Sequence, residues 1–97
     1  MGFKVLWTNE AVENLEDILQ YLESIFSHKE VAIFKAKLNS LIQLISKTPT
    51  LFPLSEHNNR FRKAVLSKQT TLYYEIKEDQ VILALLFQSK QDPKRIT

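Results

Sequence analysis

The sequence predicts a single α+β domain with the element order β-α-α-β-β-β, in which a helical hairpin packs on one face of a mainly antiparallel four-stranded sheet. Two amphipathic stretches follow each other in the first half of the chain, and each has apolar residues at helical spacing. Three strand-like segments occupy most of the second half. A chain of 97 residues supports one hydrophobic core, so residues 1–97 are predicted to form one domain.

The chain is predicted to begin with a strand and a helix. The apolar run at 3–7 is too short for a helix and is interpreted as a strand. Thr8 or Asn9 is placed to cap a helix that spans 9–26. Acidic side chains in the first turn of this helix complement the positive end of its dipole.

A second helix is predicted over 28–47. Ser27 and Glu30 have the spacing of a capping box, in which the serine accepts from the amide and the glutamate reaches back. Thr48 ends the helix because it precedes a proline, and such residues avoid the helical conformation. The short break between the two helices indicates an antiparallel hairpin.

The remaining strands are predicted at 61–66, 70–77 and 81–87. The two-residue connection Glu78-Asp79 indicates that the second and third of these form a hairpin. The last strand is apolar at every position, which is typical of a central strand buried on both faces. Strict alternation would place Val81, Leu83, Leu85 and Phe87 on one face and Ile82, Ala84 and Leu86 on the other. Since two helices cover only one face, the second apolar face is predicted to bind a partner chain.

Composition excludes several classes of protein. The chain has no cysteine, which removes disulfides, thiolate nucleophiles and cysteine-based zinc sites and favours a reducing cytoplasm. It has no glycine-rich loop for a nucleotide, and His28 and His57 have no second ligand at metal spacing. No signal peptide or membrane span is apparent. We therefore expect a cytoplasmic protein without metal or cofactor.

Charge is distributed unevenly along the chain. Residues 8–26 carry five acids and no base, whereas 60–97 carry eight bases against four acids. The basic candidates for a site are Arg60, Arg62, Lys68 and Lys90. On alternating positions of a strand the two arginines would point off the same face, where they could grip phosphates or stabilise a phosphoryl-transfer transition state. The alternative is that these cations keep the protein soluble and block pairing at the sheet edge.

The chain resembles the RelE/ParE superfamily of toxins from bacterial type II toxin–antitoxin pairs, which includes plasmid stabilisation proteins. The resembling segments, in chain order, are Trp7-Thr8-Asn9-Glu10-Ala11, Leu15-Glu16-Asp17-Ile18, Tyr21-Leu22, Thr48-Pro49, Phe52-Pro53, Arg62-Lys63-Ala64-Val65-Leu66, Leu72-Tyr73-Tyr74-Glu75-Ile76 and Phe87-Gln88-Ser89-Lys90-Gln91-Asp92-Pro93. The resemblance implies a compact toxin that is neutralised by a cognate antitoxin, whose extended and partly helical segment wraps it. The candidate antitoxin-binding residues are Tyr73, Ile82, Ala84 and Leu86.

Members of the superfamily differ in target. RelE-like members cleave messenger RNA in the ribosomal A site with Arg, Lys and often a C-terminal Tyr or His, whereas ParE-like members inhibit DNA gyrase. Arg62 matches the strand arginine of the superfamily, and Lys90 stands where many members have arginine, but no Tyr or His follows Phe87. The resemblance therefore favours a ParE-like toxin that acts by binding. The alternatives are a RelE-like ribosome-dependent endoribonuclease, with the four cations above as its catalytic candidates, and a degenerate, non-toxic interaction module.

Overall fold

The computed structural model describes residues 2–89, and their fold confirms the predicted order of elements. In chain order the elements are β1 (Lys4–Trp7), α1 (Asn9–Ile25), α2 (His28–Lys47), a short 3-10 helix (Pro49–Leu51), β2 (Arg62–Val65), β3 (Thr70–Lys77) and β4 (Gln80–Gln88). No helix among these residues is long and apolar enough to cross a membrane.

The four strands form one mixed sheet in the order β1-β4-β3-β2. The β3–β4 and β2–β3 pairs are antiparallel, whereas β1 lies parallel to β4 with Lys4 opposite Gln80. β4 is thus an interior strand, as its apolar sequence predicted. The hairpin turn between β3 and β4 places Glu78 at a φ of 55°, the left-handed region that a non-glycine residue seldom adopts.

The hydrophobic core lies between the two helices and one face of the sheet, and the opposite face is called the open face below. The buried apolar residues come from both helices and from three strands. They are Ala11, Ile18, Leu22, Val31, Leu38, Ile45, Ala64, Leu72, Tyr74, Val81, Leu83 and Leu86.

The predicted N-cap of α1 is confirmed. Ser27 is the N-cap residue of α2, as predicted, but the side-chain bond of the predicted capping box is absent. The Thr8 hydroxyl oxygen accepts from the amide of Ala11 at 3.0 Å, and it lies 3.0 Å from the carbonyl oxygen of Leu83, to which it can donate. The helix start is therefore attached to β4. The Ser27 side chain makes no capping bond, because the amide of Glu30 donates to the Ser27 backbone carbonyl at 3.1 Å instead.

A β-bulge in β4 overturns the predicted alternation of its second half. Tyr73 pairs with Leu85 and Tyr74 pairs with Leu83, so Ala84 has no opposite residue. Beyond this extra residue the two faces exchange. Leu86, which was predicted on the open face, lies in the core and is only 3% exposed. The next residue, Phe87, lies on the open face and is 54% exposed.

The open face, which was predicted to bind a partner chain, is partly covered by the chain itself. The segment 52–61 connects the 3-10 helix to β2 and runs beside that strand. The amide of Ser55 donates to the Phe61 carbonyl at 2.8 Å, and the amide of Lys63 donates to the Pro53 carbonyl at 2.9 Å. Ser55 and Glu75 are buried, while Phe87 remains uncovered.

Candidate functional site

Arg60 is held in place above the open face. Its Nε donates to Oε2 of Glu75 at 2.5 Å, and its guanidinium carbon lies 5.3 Å from the centre of the Phe61 ring. The Glu75 side chain is only 7% exposed, and Lys77 Nζ lies 3.8 Å from its other oxygen. A buried carboxylate without cationic partners would be costly, so this group of charges fixes the segment 52–61 to β3.

Arg62 points to the other side of the sheet, so the prediction that the two arginines share a face is wrong. Arg62 is the first residue of β2 and pairs with core-facing Tyr74, and its Nη1 donates to the carbonyl oxygen of Phe52 at 2.7 Å. Arg60 precedes the strand, in a turn where Asn58 Oδ1 accepts its amide at 3.0 Å. Strand alternation does not extend into that turn.

Lys68 is not brought near the two arginines. It lies in the connection before Thr70, whereas Arg60 contacts Glu75, five residues further along β3. At about 3.3 Å per strand residue this separation is roughly 17 Å. Lys90, the fourth predicted cation, lies outside the described residues 2–89. The described cations therefore do not converge on one point.

An apolar groove of about 580 Å³ occupies the uncovered part of the open face. It is lined by Glu10, Ser55, His57, Asn58, Phe61, Tyr73, Ala84, Leu85 and Phe87. Two of the predicted antitoxin-binding residues, Tyr73 and Ala84, line it. Ile82 is half-buried and pairs with Leu6 rather than lining the groove, and Leu86 faces the core.

Sequence reasoning missed most of the groove. His57 was considered only as a metal ligand, and Phe61 was given no role. These residues reach the groove because the segment 52–61 folds back along β2, which no local pattern in the sequence specifies.

Tyr74 is a structural neighbour of this surface. Its hydroxyl donates to the Pro49 carbonyl oxygen at 2.5 Å, and burial raises the pKa of Tyr74 to about 12 despite the opposing charge of Arg62. A phenol held this firmly in its protonated form is a poor proton shuttle at neutral pH. Within residues 2–89, no group of three or more His, Cys, Asp or Glu side chains is placed to hold a metal ion.

Comparisons with known proteins agree with this architecture. The family model described as "ParE toxin of type II toxin-antitoxin system, parDE" matches residues 5–93. No curated protein sequence gives a significant match.

Solved structures of low sequence identity share the fold. A chain of the chromosomal ParDE toxin–antitoxin system from P. aeruginosa superposes with a TM-score of 0.75 at 11% identity, over 91% of this chain and 97% of that one. A YoeB/ParE toxin from Agrobacterium tumefaciens gives a TM-score of 0.64 at 15% identity, over 90% and 99%. A chain of the E. coli DinJ–YafQ toxin–antitoxin complex gives 0.62 at 14% identity, over 91% and 93%. Because the family model covers most of the sequence, the chain belongs to the ParE toxin family of type II toxin–antitoxin systems.

Proposed function

We propose that this ParE-family toxin arrests growth by binding a protein target such as DNA gyrase, and that a cognate antitoxin neutralises it. The observation that carries the proposal is the apolar groove on the open face, with exposed Phe87 in its lining. Apolar and aromatic side chains of this kind are what protein partners bury.

The positions of the arginines favour binding over RNA cleavage. Cleavage through the 2′-hydroxyl needs a base, an acid and cations gathered at one phosphate. Arg60 is engaged by Glu75 on the open face, while Arg62 is engaged by Phe52 on the opposite side. Two cations on opposite sides of a sheet do not stabilise the same phosphorane.

The antitoxin-binding surface proposed here is a revised form of the one predicted from sequence. Tyr73 and Ala84 line the groove, and Ile82 belongs to the same face. Leu85 and Phe87 take the place of Leu86, because the bulge turns them toward the open face. The toxin–antitoxin complexes among the structural relatives support the existence of such a partner.

A RelE-like endoribonuclease remains the second candidate because of three groove residues. His57, Tyr73 and Glu10 bring titratable side chains to one concave surface. Imidazole, phenol and carboxylate groups are the side chains that acid–base catalysis uses. Lys63 and His57 both line the adjoining depression, where Lys63 could supply a cation.

Two measurements test the proposal. Expression of the chain alone should slow bacterial growth, and co-expression of the small open reading frame beside its gene should restore it. The purified protein should then inhibit DNA supercoiling by gyrase in vitro. Unimpaired growth at high expression of folded protein would favour the degenerate module, and growth arrest with fully active gyrase would contradict gyrase as the target.

A matched pair of variants asks whether the groove is the surface that acts. Phe87→Lys changes an exposed groove residue, and Val12→Lys changes a residue of α1 that is exposed to a similar degree, at 41%. Neither change disturbs the core. Loss of toxicity or of antitoxin binding in the Phe87 variant, but not in the Val12 variant, is the expected result.

A further inference from the structure

β1 forms one edge of the sheet, since the strand order β1-β4-β3-β2 gives it a neighbour on only one side. The start of its outer edge is bonded to the end of α2. The amide of Phe3 donates to the Ser46 carbonyl at 2.7 Å, and the Ser46 hydroxyl donates to the Phe3 carbonyl at 2.8 Å. Within residues 2–89, no further backbone bond reaches this edge from outside the sheet. The outer edge of β1 is therefore open from Lys4 to Trp7.

The backbones of Val5 and Trp7 are directed toward this open edge. In a parallel ladder, alternate residues of a strand bond to the neighbouring strand. The amides of Lys4 and Thr8 donate to carbonyl oxygens on the side of β4, at 3.0 and 3.2 Å. Leu6 shares their orientation, because it lies two residues from each. Val5 and Trp7 alternate with them, so their N–H and C=O groups point outward and are available to another strand.

The same short strand exposes two large apolar side chains. Leu6 is 36% exposed, and Trp7, the only tryptophan of the sequence, is 37% exposed. Leu6 lies on the open face, where it pairs with Ile82, and Trp7 lies on the side of the core, where it pairs with Leu83. Tryptophan is among the residues that most often anchor protein interfaces. Both faces of this edge thus offer apolar area to a strand placed beside it.

An antiparallel copy of β1 satisfies all of these groups in one register. With Leu6 opposite Leu6 of the second copy, Val5 lies opposite Trp7 of that copy, and the two residues exchange both bonds. Two-fold symmetry repeats the exchange, so four bonds form. A register centred on Val5 would instead place Trp7 opposite Phe3, whose amide and carbonyl are already bonded. A register centred on Trp7 would place Val5 opposite Asn9, which already belongs to α1.

Charge complementarity identifies a second copy of the chain as the occupant. In this register Lys4 lies opposite Thr8 of the second copy, and Glu10 of that copy follows two residues later. Lys4 shares the open face with Leu6, and Glu10 lines the groove on the same face. Opposite charges therefore meet at both ends of the interface. The two Lys4 residues lie about 13 Å apart along the strands and do not repel each other strongly.

We propose that the chain forms a two-fold symmetric dimer through its β1 edges, which joins two four-stranded sheets into one continuous sheet. The dimer places Lys4 of one copy beside Glu10 at the rim of the other copy's groove, so each groove gains a cation from the neighbouring subunit. This inference goes beyond the proposed function and does not depend on it, because association is measured without any toxin target. Since the interface is short, the dimer should dissociate on dilution.

Association is tested first on the wild-type protein. Sedimentation velocity over a dilution series should show a dimer at high concentration and a monomer at low concentration. The fluorescence of Trp7, the only tryptophan, should shift to longer wavelength over the same range as its ring becomes more exposed to water. Protein that sediments as a monomer at every soluble concentration would overturn the proposal.

The register is tested with a single introduced cysteine, because the sequence has none. The two Leu6 residues would form a non-hydrogen-bonded pair with Cα atoms about 4.5 Å apart, a separation that a disulfide can span. Leu6→Cys should therefore form a covalent dimer on mild oxidation, measured on a non-reducing gel. Ile25→Cys is the control, because Ile25 is similarly exposed, at 43%, but lies at the far end of α1. Equal rates of cross-linking in the two variants would contradict this register.

The charge pairing is tested by exchanging its two members. Lys4→Glu and Glu10→Lys should each weaken the dimer about tenfold at low salt, because symmetry removes two contacts at once. Combining the two changes restores the opposite charges and should return the dissociation constant close to the wild-type value.

The control for this exchange combines Lys4→Glu with Glu23→Lys. Glu23 lies thirteen residues, roughly 20 Å, further along α1 than Glu10, so this combination should stay as weak as Lys4→Glu alone. Far-ultraviolet circular dichroism establishes that each variant is folded, and the charge exchange decides alone should Leu6→Cys not fold. A double exchange that dimerises no better than its single variants would overturn the pairing of Lys4 with Glu10.

Discussion

The hydroxyl of Tyr74 donates a hydrogen bond to the carbonyl oxygen of Pro49, 2.5 Å away and 25 residues earlier in the chain. The bond joins the middle of β3 to the short helix that follows α2. The ring of Phe52 packs edge-on against the Tyr74 ring, with centroids 6.4 Å apart and planes at 87°. These contacts anchor the start of the segment that partly covers the open face.

Replacing Tyr74 by phenylalanine should destabilise the fold. The buried Pro49 carbonyl would lose its partner, which costs about 1–3 kcal/mol in the free energy of unfolding. Tyr73→Phe is the control, because that side chain is half-buried and lies on the open face. Urea unfolding monitored by circular dichroism measures both, and equal losses in the two variants would contradict the role assigned to this bond.

The same tyrosine predicts a pH dependence at the alkaline limit. Since burial raises the pKa of Tyr74 in the folded state from the ordinary 10.0 to about 12, the fold favours the protonated phenol. The resulting stability is fully present below pH 10 and is lost as the pH rises through about 12. The difference in stability between wild type and Tyr74→Phe should therefore shrink over this range. A difference that stays constant in urea titrations from pH 9 to 12 would show that the phenol does not ionise differently on folding.

The bulge in β4 makes opposite predictions for two adjacent leucines. Leu86→Ala removes a core side chain and should cost about 2–5 kcal/mol, whereas Leu85→Ala, on the partly exposed open face, should cost about 1 kcal/mol or less. Thermal or urea unfolding of the two variants compares them directly. The reverse order of costs would mean that the strand alternates without a bulge.

Gyrase inhibition and RNA cleavage predict different fates for messenger RNA in the arrested cell. During growth arrest caused by this toxin, messenger RNA should stay intact while replication stalls and DNA damage signalling appears. Primer extension on ribosome-bound messenger RNA measures whether the messages are cut. Codon-phased cuts that disappear in a folded Arg62→Ala variant would establish the endoribonuclease and make Arg62 a stabiliser of the transition state.

The elements of this fold were predictable because each has a local signal. Helical periodicity, a capping threonine and a proline after Thr48 place the two helices within a residue or two of their observed ends. The wholly apolar strand 81–87 was correctly placed inside the sheet. The helix signals depend on residues that are close in sequence, and the strand signal depends on burial. Both are visible in the order of polar and apolar residues.

The site was harder to predict because it depends on contacts that no local pattern encodes. One extra residue at Ala84 exchanges the faces of the rest of β4, and strict alternation cannot reveal it. Arg60 and Arg62 do not share a face because β2 begins at Arg62, whereas the predicted alternation required Arg60 to be in the strand. The path of 52–61 along β2 is fixed in part by contacts with other elements, namely the bond from the Lys63 amide to Pro53 and the bond from Arg60 to Glu75 on β3.

The parallel pairing of β1 with β4 has a consequence for biosynthesis. Lys4 pairs with Gln80, which is 76 residues later in the chain, and Thr8 bonds to Leu83. Neither contact can form until β4 has been synthesised. The helices and the β2–β3 hairpin can form from neighbouring residues while the chain is still emerging from the ribosome, but β1 and β3 meet only through the last strand. A nascent chain interrupted before β4 leaves its sheet in two unjoined parts, so a truncated product lacks the groove and is expected to be harmless to the cell that made it.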